Sequence, residues 1–222
     1  MTAGTPRYLV ERGADDIRTA FRAAIKICKD KAITNAVLVV PQKGGWDNSV
    51  VAEFLGAPAT TALMKDQAVP LTNGVTMNMV SQRTFPKYVP QGLVIGAHIS
   101  FDAMESIDDG CDAKAILYMP WNEKEGVDWL ATWQATVIGP NNWRVPSSNL
   151  TAPVEQALSS LTQNINLSTG LVHPSDKASA VRTVGTLRAA GHHFDPREIR
   201  RWARRHGWSS KAASGLEALA RK

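Results

Sequence analysis

Apolar positions recur in two rhythms along the first 140 residues, and each rhythm predicts a type of element. From Asp15 to Lys31, the residues Ile17, Ala20, Phe21, Ala24 and Cys28 fall at helical spacing, which predicts an amphipathic helix with Asp15 and Asp16 suited to its start. Ala36–Val40 is a compact valine-rich run and reads as a strand. It leads through the turn Pro41-Gln42-Lys43-Gly44-Gly45 into a helix over Ser49–Leu55. Val75–Val80, Leu93–Ala97, Ala115–Met119 and Ala135–Ile138 read as further strands, and Phe101–Ile107 and Lys124–Gln134 as helices between them. Short, nearly all-apolar strands separated by helices predict an α/β fold, a mainly parallel sheet flanked by helices in a Rossmann-like arrangement.

The rhythm changes after Gly139–Asn149, where Gly, Pro, Asn and Ser concentrate, so an α/β domain over residues 1–145 is expected. Residues 146–172 read as a linker and connecting helix, with Val154, Leu158, Leu161 and Ile165 at helical spacing. Residues 173–222 read as a small all-helical C-terminal module. Its first helix is expected over Asp176–Ala190, with Ser175 as cap, Gly191 as stop, and a packing stripe of Ala178, Val181, Val184 and Leu187. Asp195-Pro196 followed by Glu198 is a strong start signal for a second helix, which Gly207 ends. Ser209 or Ser210 then caps a third.

The net charge of +5 is unevenly spread. From His173 onward there are 11 Lys and Arg against 4 Asp and Glu, or +7, whereas the preceding residues carry −2. Within the second helix of the module Arg197, Arg200, Arg201, Arg204 and Arg205 fall in an arc of roughly 140°, opposite Ile199, Trp202 and Ala203. A guanidinium stripe of this kind suits phosphate, so nucleic acid is the expected partner, met at its backbone by these five arginines and Lys211. The stripe followed by a glycine turn and another helix has the layout of a helix-turn-helix, but the arginines lie on the first helix of the pair, so base reading is not expected.

The run Ile199-Arg200-Arg201-Trp202-Ala203-Arg204-Arg205-His206-Gly207 resembles the helix that opens the DNA-binding tail of actinobacterial nucleoid-associated silencer proteins, in which Ile-Arg-x-Trp-Ala precedes a glycine. The resemblance covers about residues 195–222 and implies a bacterial, DNA-associated protein. In that family an Arg-Gly-Arg tripeptide after the helix reads AT-rich minor grooves. Ser209-Ser210-Lys211 stands in that region here, so the resemblance implies backbone contact without the specificity element.

In the α/β domain, ligands gather beyond the carboxyl ends of parallel strands. The residues there are Lys43, Gly44, Gly45, Asp47 and Asn48 after the first predicted strand, then Ser81, Gln82 and Arg83. His98, Ser100 and Asp102 follow the next, and Trp121, Asn122 and Glu123 the one after. Among them Lys43, Gly44, Gly45, Asn48, Arg83, His98 and Asn122 form the expected ligand-binding set, with Lys43 and Arg83 holding a phosphate and His98 able to transfer a proton. The Lys-Gly-Gly turn matches neither the P-loop nor the dinucleotide fingerprint, and no catalytic signature accompanies it, so no catalytic residue is assigned and no cofactor is implied.

Three functions therefore compete: an accessory nucleic-acid-associated binding protein, a nucleotide-binding enzyme or sensor, and a subunit of a protein assembly or homo-oligomer. Trp121, Trp129, Trp133 and Trp143 cluster near the fourth predicted strand and are expected to pack its following helix against the tail. Cys28 and Cys111 stand alone and read as buried thiols. His192, His193 and His206 fit no zinc spacing, so no metal site is expected. No run approaches the length of a membrane span, and Met1–Asp16 carries charges where a signal peptide needs an apolar centre, so a cytoplasmic protein is expected.

Overall fold

The structure is a computed structural model that describes residues 4–13, 15–85, 92–140, 142–143 and 148–222. The chain divides at residue 145 into two compact units.

The first unit is an α/β fold around a seven-stranded sheet. Its strands are β1 (Arg7–Val10), β2 (Asn35–Val40), β3 (Val69–Thr72), β4 (Val75–Ser81), β5 (Leu93–Ala97), β6 (Ala115–Met119) and β7 (Thr136–Ile138). They lie in the order β3-β4-β2-β5-β6-β1-β7, and every pairing is parallel except the β3–β4 hairpin. The central strands β5 and β6 are buried at every residue, as a sheet covered on both faces requires.

Helices α1 (Asp16–Asp30), α2 (Val50–Leu55) and α3 (Ala57–Met64) share one apolar core with the sheet, containing Phe21, Ala24, Ile27, Val51 and Leu63. Helices α4 (Phe101–Gly110) and α5 (Glu123–Trp133) share a second, containing Met104, Ile107, Trp129 and Leu130. Gly126 is where α5 receives an indole: a Cβ there would collide with the Trp143 ring.

Three elements of this unit were not legible from periodicity. Strand β1 is four residues long and begins on Arg7, whose guanidinium is buried against Asp108 of α4, with Nε and Nη2 donating at 3.0–3.2 Å. The same guanidinium lies 3.9 Å from the Trp133 ring. An arginine neutralised and stacked in this way occupies a core position that hydrophobic patterning cannot assign. Strand β3 contains Pro70, which a sheet accepts only at an edge, and β3 is the edge. Helix α3 begins directly after α2 across Gly56, held at φ +80°, in a stretch with no amphipathic stripe.

The tryptophan expectation needs correcting. Trp129, Trp133 and Trp143 belong to the second core of the α/β unit itself, and Trp121 stands apart from them at 63% exposure.

The second unit is all-helical: α6 (Ala152–Asn164), α7 (Pro174–Ala189), α8 (Pro196–Arg205) and α9 (Ser210–Arg221). The stretch read from sequence as a connecting helix, α6, places Val154, Leu158 and Leu161 in one core with Val184, Leu187, Ile199, Trp202, Trp208 and Leu216. Trp208 Nε1 donates to Thr162 Oγ1 at 2.9 Å, tying α6 to the turn between α8 and α9. Helix α7 starts at Pro174, so Ser175 lies inside it rather than capping it, and its buried stripe is Ala180, Val184 and Leu187. Val181 points outward because the pattern in this helix is weak and the partner helices decide the face. Asp195 caps α8 and Ser209 caps α9 through their side-chain oxygens, as the sequence predicts.

Candidate ligand site

The clearest gathering of polar groups lies at the carboxyl edge of the sheet. Strand β1 runs into α1 on one face and its neighbour β6 runs into α5 on the other, so the two crossovers part at these strand ends, the position at which open α/β sheets hold ligands. Arg12 follows β1, Trp121 follows β6, and His98 follows β5.

His98 is held with φ +54°, in the left-handed region, while its backbone N–H donates to the Met119 carbonyl at 2.9 Å. A non-glycine residue there costs of order 1 kcal/mol, so the surroundings dictate the conformation. Arg12 Nη1 lies 3.1 Å from His98 Nε2 and 3.3 Å from Asp16 Oδ2. A guanidinium only donates, so Nε2 is the acceptor and the ring proton sits on Nδ1. Burial lowers the pKa of His98, and the neighbouring Arg12 lowers it further against a smaller opposing pull from Asp16, which favours the same neutral form. The Trp121 ring meets the imidazole edge to face, with centroids 5.4 Å apart, and leaves most of its surface to solvent.

The predicted rim residues share this edge, because β2, β4, β5 and β6 are parallel, but they do not converge. Lys43 pairs with Asp66, so its ammonium is already engaged. Gly44 is open. Gly45, at φ +73°, precedes a short 3₁₀ turn that buries Trp46, and the Asn48 amide turns to its neighbour Asp47. Arg83 is exposed in the turn after β4, one strand beyond β2. Asn122 accepts from Glu125 N at 3.0 Å as the cap of α5. Of the expected set, His98 alone stands in the Arg12–Trp121 cluster. Arg12 escaped notice because β1 did: without a strand ending at Val10, nothing places residue 12 on the rim.

The arginine stripe departs further from expectation. Arg204 is 3% exposed and donates through Nη1 to the Trp208 carbonyl at 2.6 Å. Arg201 pairs with Glu198, and Arg200 Nη1 lies 3.5 Å from Glu217 Oε2, all four side chains largely buried. The stripe is thus not an open cationic face: three of its five members brace the helical unit. The reason is that α8 is embraced on more than one side, so the polar arc of a helical wheel falls partly against α9. Arg197 and Lys211 are exposed, and Arg205 is half-buried.

Both cysteines are buried, and burial raises the thiol pKa, for Cys111 to about 12, as unreactive thiols require. Among the described residues no group of three or more His, Cys, Asp or Glu could hold a metal ion, and no helix is long and apolar enough to cross a membrane.

Residues 150–222, the helical unit, match the family model described as a domain of unknown function (DUF1889). No curated protein matches the chain. No solved structure matches it.

Proposed function

We propose that the α/β unit binds a small anionic ligand that carries a flat ring, and that a nucleoside phosphate is the class that fits. One observation carries this reading: the neutral His98, in a left-handed backbone at the sheet edge, is fixed between Arg12 and an exposed Trp121. Each group has a job the ligand would use. The indole offers a face for stacking a base. The described residues give the remaining Arg12 donors and His98 Nδ1–H no partner, and these match phosphate oxygens. The site binds and orients; it assigns no proton transfer, since the imidazole nitrogen that would act as base is occupied by Arg12. The protein is read as a ligand-responsive binding protein rather than as a catalyst.

The test is intrinsic tryptophan fluorescence titrated with adenosine and guanosine mono-, di- and triphosphates, with adenosine and inorganic phosphate alone as controls. Quenching by nucleoside phosphates is expected, weakened about tenfold in Trp121→Ala and about tenfold in Arg12→Gln, each equivalent to about 1.4 kcal/mol. Trp121 is exposed and its removal should leave thermal stability unchanged. Silence across the panel, or binding that survives both substitutions, would end the reading.

The nucleic-acid reading loses its arginine carrier where Arg200, Arg201 and Arg204 are held internally. Arg197 of the stripe and Lys211 still face outward, with Arg205 half-buried, and duplex DNA is an arm of the experiment below.

A further inference from the structure

A groove of about 640 Å³ opens on the helical unit between α9, the start of α7 and the turn at residues 168–172. The turn sits close on α9 because Gly170, at φ +57°, has no side chain: a Cβ there would lie 2.6 Å from that of Ala212. The floor is apolar, with Leu171, Val172 and Leu219, and Val172 is 71% exposed, an aliphatic side chain with no cover. The rim carries the ammonium groups of Lys177, Lys211 and Lys222, and no aspartate or glutamate is among the residues that line the groove. Glu217, the acidic residue of α9, is turned inward, where it pairs with Arg200 and Arg221.

Spacing along α9 discriminates among occupants. Lys211 lies in the first turn of α9 and Lys222 directly follows its end, so about three turns of helix, roughly 16 Å, separate these two lining residues. One phosphate or carboxylate head group cannot meet both. A nucleic-acid backbone could, but it would lay charged, hydrated groups over Leu171, Val172 and Leu219, and the groove has no aromatic side chain on which a base could stack. An amphipathic helix with apolar residues at helical spacing, flanked by acidic residues three turns apart, satisfies floor and rim together. We infer that this groove is a docking site for an acidic amphipathic helix of a partner protein. It lies on the helical unit and stands independently of the ligand reading for the sheet edge.

The test uses the whole 222-residue chain and fluorescence anisotropy of three labelled probes. These are a synthetic amphipathic peptide with leucines along one face and glutamates three turns apart, its counterpart with lysines for the glutamates, and a short DNA duplex. The acidic peptide is expected to bind, and Lys211→Glu/Lys222→Glu is expected to weaken it by about tenfold or more while the lysine peptide gains on that variant. Arg197→Glu, exposed but outside the groove, should leave binding unchanged. Lys211 and Lys222 are both exposed, so an unaltered thermal midpoint should accompany the double substitution. The inference is overturned if the acidic peptide binds no better than its lysine counterpart. It is equally overturned if the duplex binds in preference and is the probe lost in the double variant, which would make the groove a nucleic-acid site.

Discussion

Replacing Asp108 by alanine is expected to cost the α/β unit about 3–5 kcal/mol, because it strips the counter-charge from a guanidinium that cannot reach water. Asp108 is 1% exposed, and its carboxylate meets both Nε and Nη2 of Arg7. Arg7 opens β1, the strand that carries Arg12 to the sheet edge, and Asp108 lies on α4, which starts three residues after His98. The pair therefore ties together two of the elements that build the candidate site. Urea denaturation followed by circular dichroism should register the loss, and a thermal midpoint lower by roughly 10 °C should accompany it. Arg7→Met together with Asp108→Leu is expected to recover much of it, since an apolar pair removes both charges at once. A midpoint for Asp108→Ala within a degree or two of the parent would show that water reaches Arg7.

Arg204→Glu is expected to be as severe for the helical unit. The guanidinium is buried and its Nη1 hydrogen caps the Trp208 carbonyl, at the turn that leads from α8 into α9. A carboxylate there would face that carbonyl with no hydrogen to offer, adding repulsion to the cost of burying a charge, again about 3–5 kcal/mol. A unit of this size holds only about 5–10 kcal/mol in total, so much of its folded population would be lost. Limited proteolysis should clear residues 150–222 in Arg204→Glu and spare them in Lys211→Glu. Charge reversal on the stripe is thus a poor assay for polyanion contact: lost retention on heparin would follow from unfolding alone. A fully protease-resistant Arg204→Glu protein would return the stripe to the surface and reopen the backbone-contact reading.

The contrast between these arginines and their helix marks where sequence reasoning reaches its limit. The cap at Asp195, the proline after it and the span of α8 depend on local rules and were legible, as were the buried strands β2, β5 and β6, whose apolar runs are continuous. Which side of α8 meets solvent is a tertiary matter. Glu198 and Glu217 are too few in number to look like a match for five arginines, yet folding brings each against one. The candidate site was half visible for a related reason. His98 directly follows a strand that periodicity finds, whereas Arg12 comes two residues after a four-residue strand opened by a charged residue, and its meeting with His98 spans 86 positions of sequence. Of the groove lysines, Lys211 was legible only as a companion to the arginines and Lys177 and Lys222 only as part of a summed charge, since the groove depends on Glu217 turning inward.

Both thiols of the chain lie in the α/β unit, on α1 and just after α4, and the helical unit has none. Maleimide uptake can therefore serve as a clock for breathing of one half of the molecule alone. Alkylation must wait for α1 or the end of α4 to lift from the sheet, so its rate reports how often that half opens. A nucleotide that steadies the sheet edge would slow the clock.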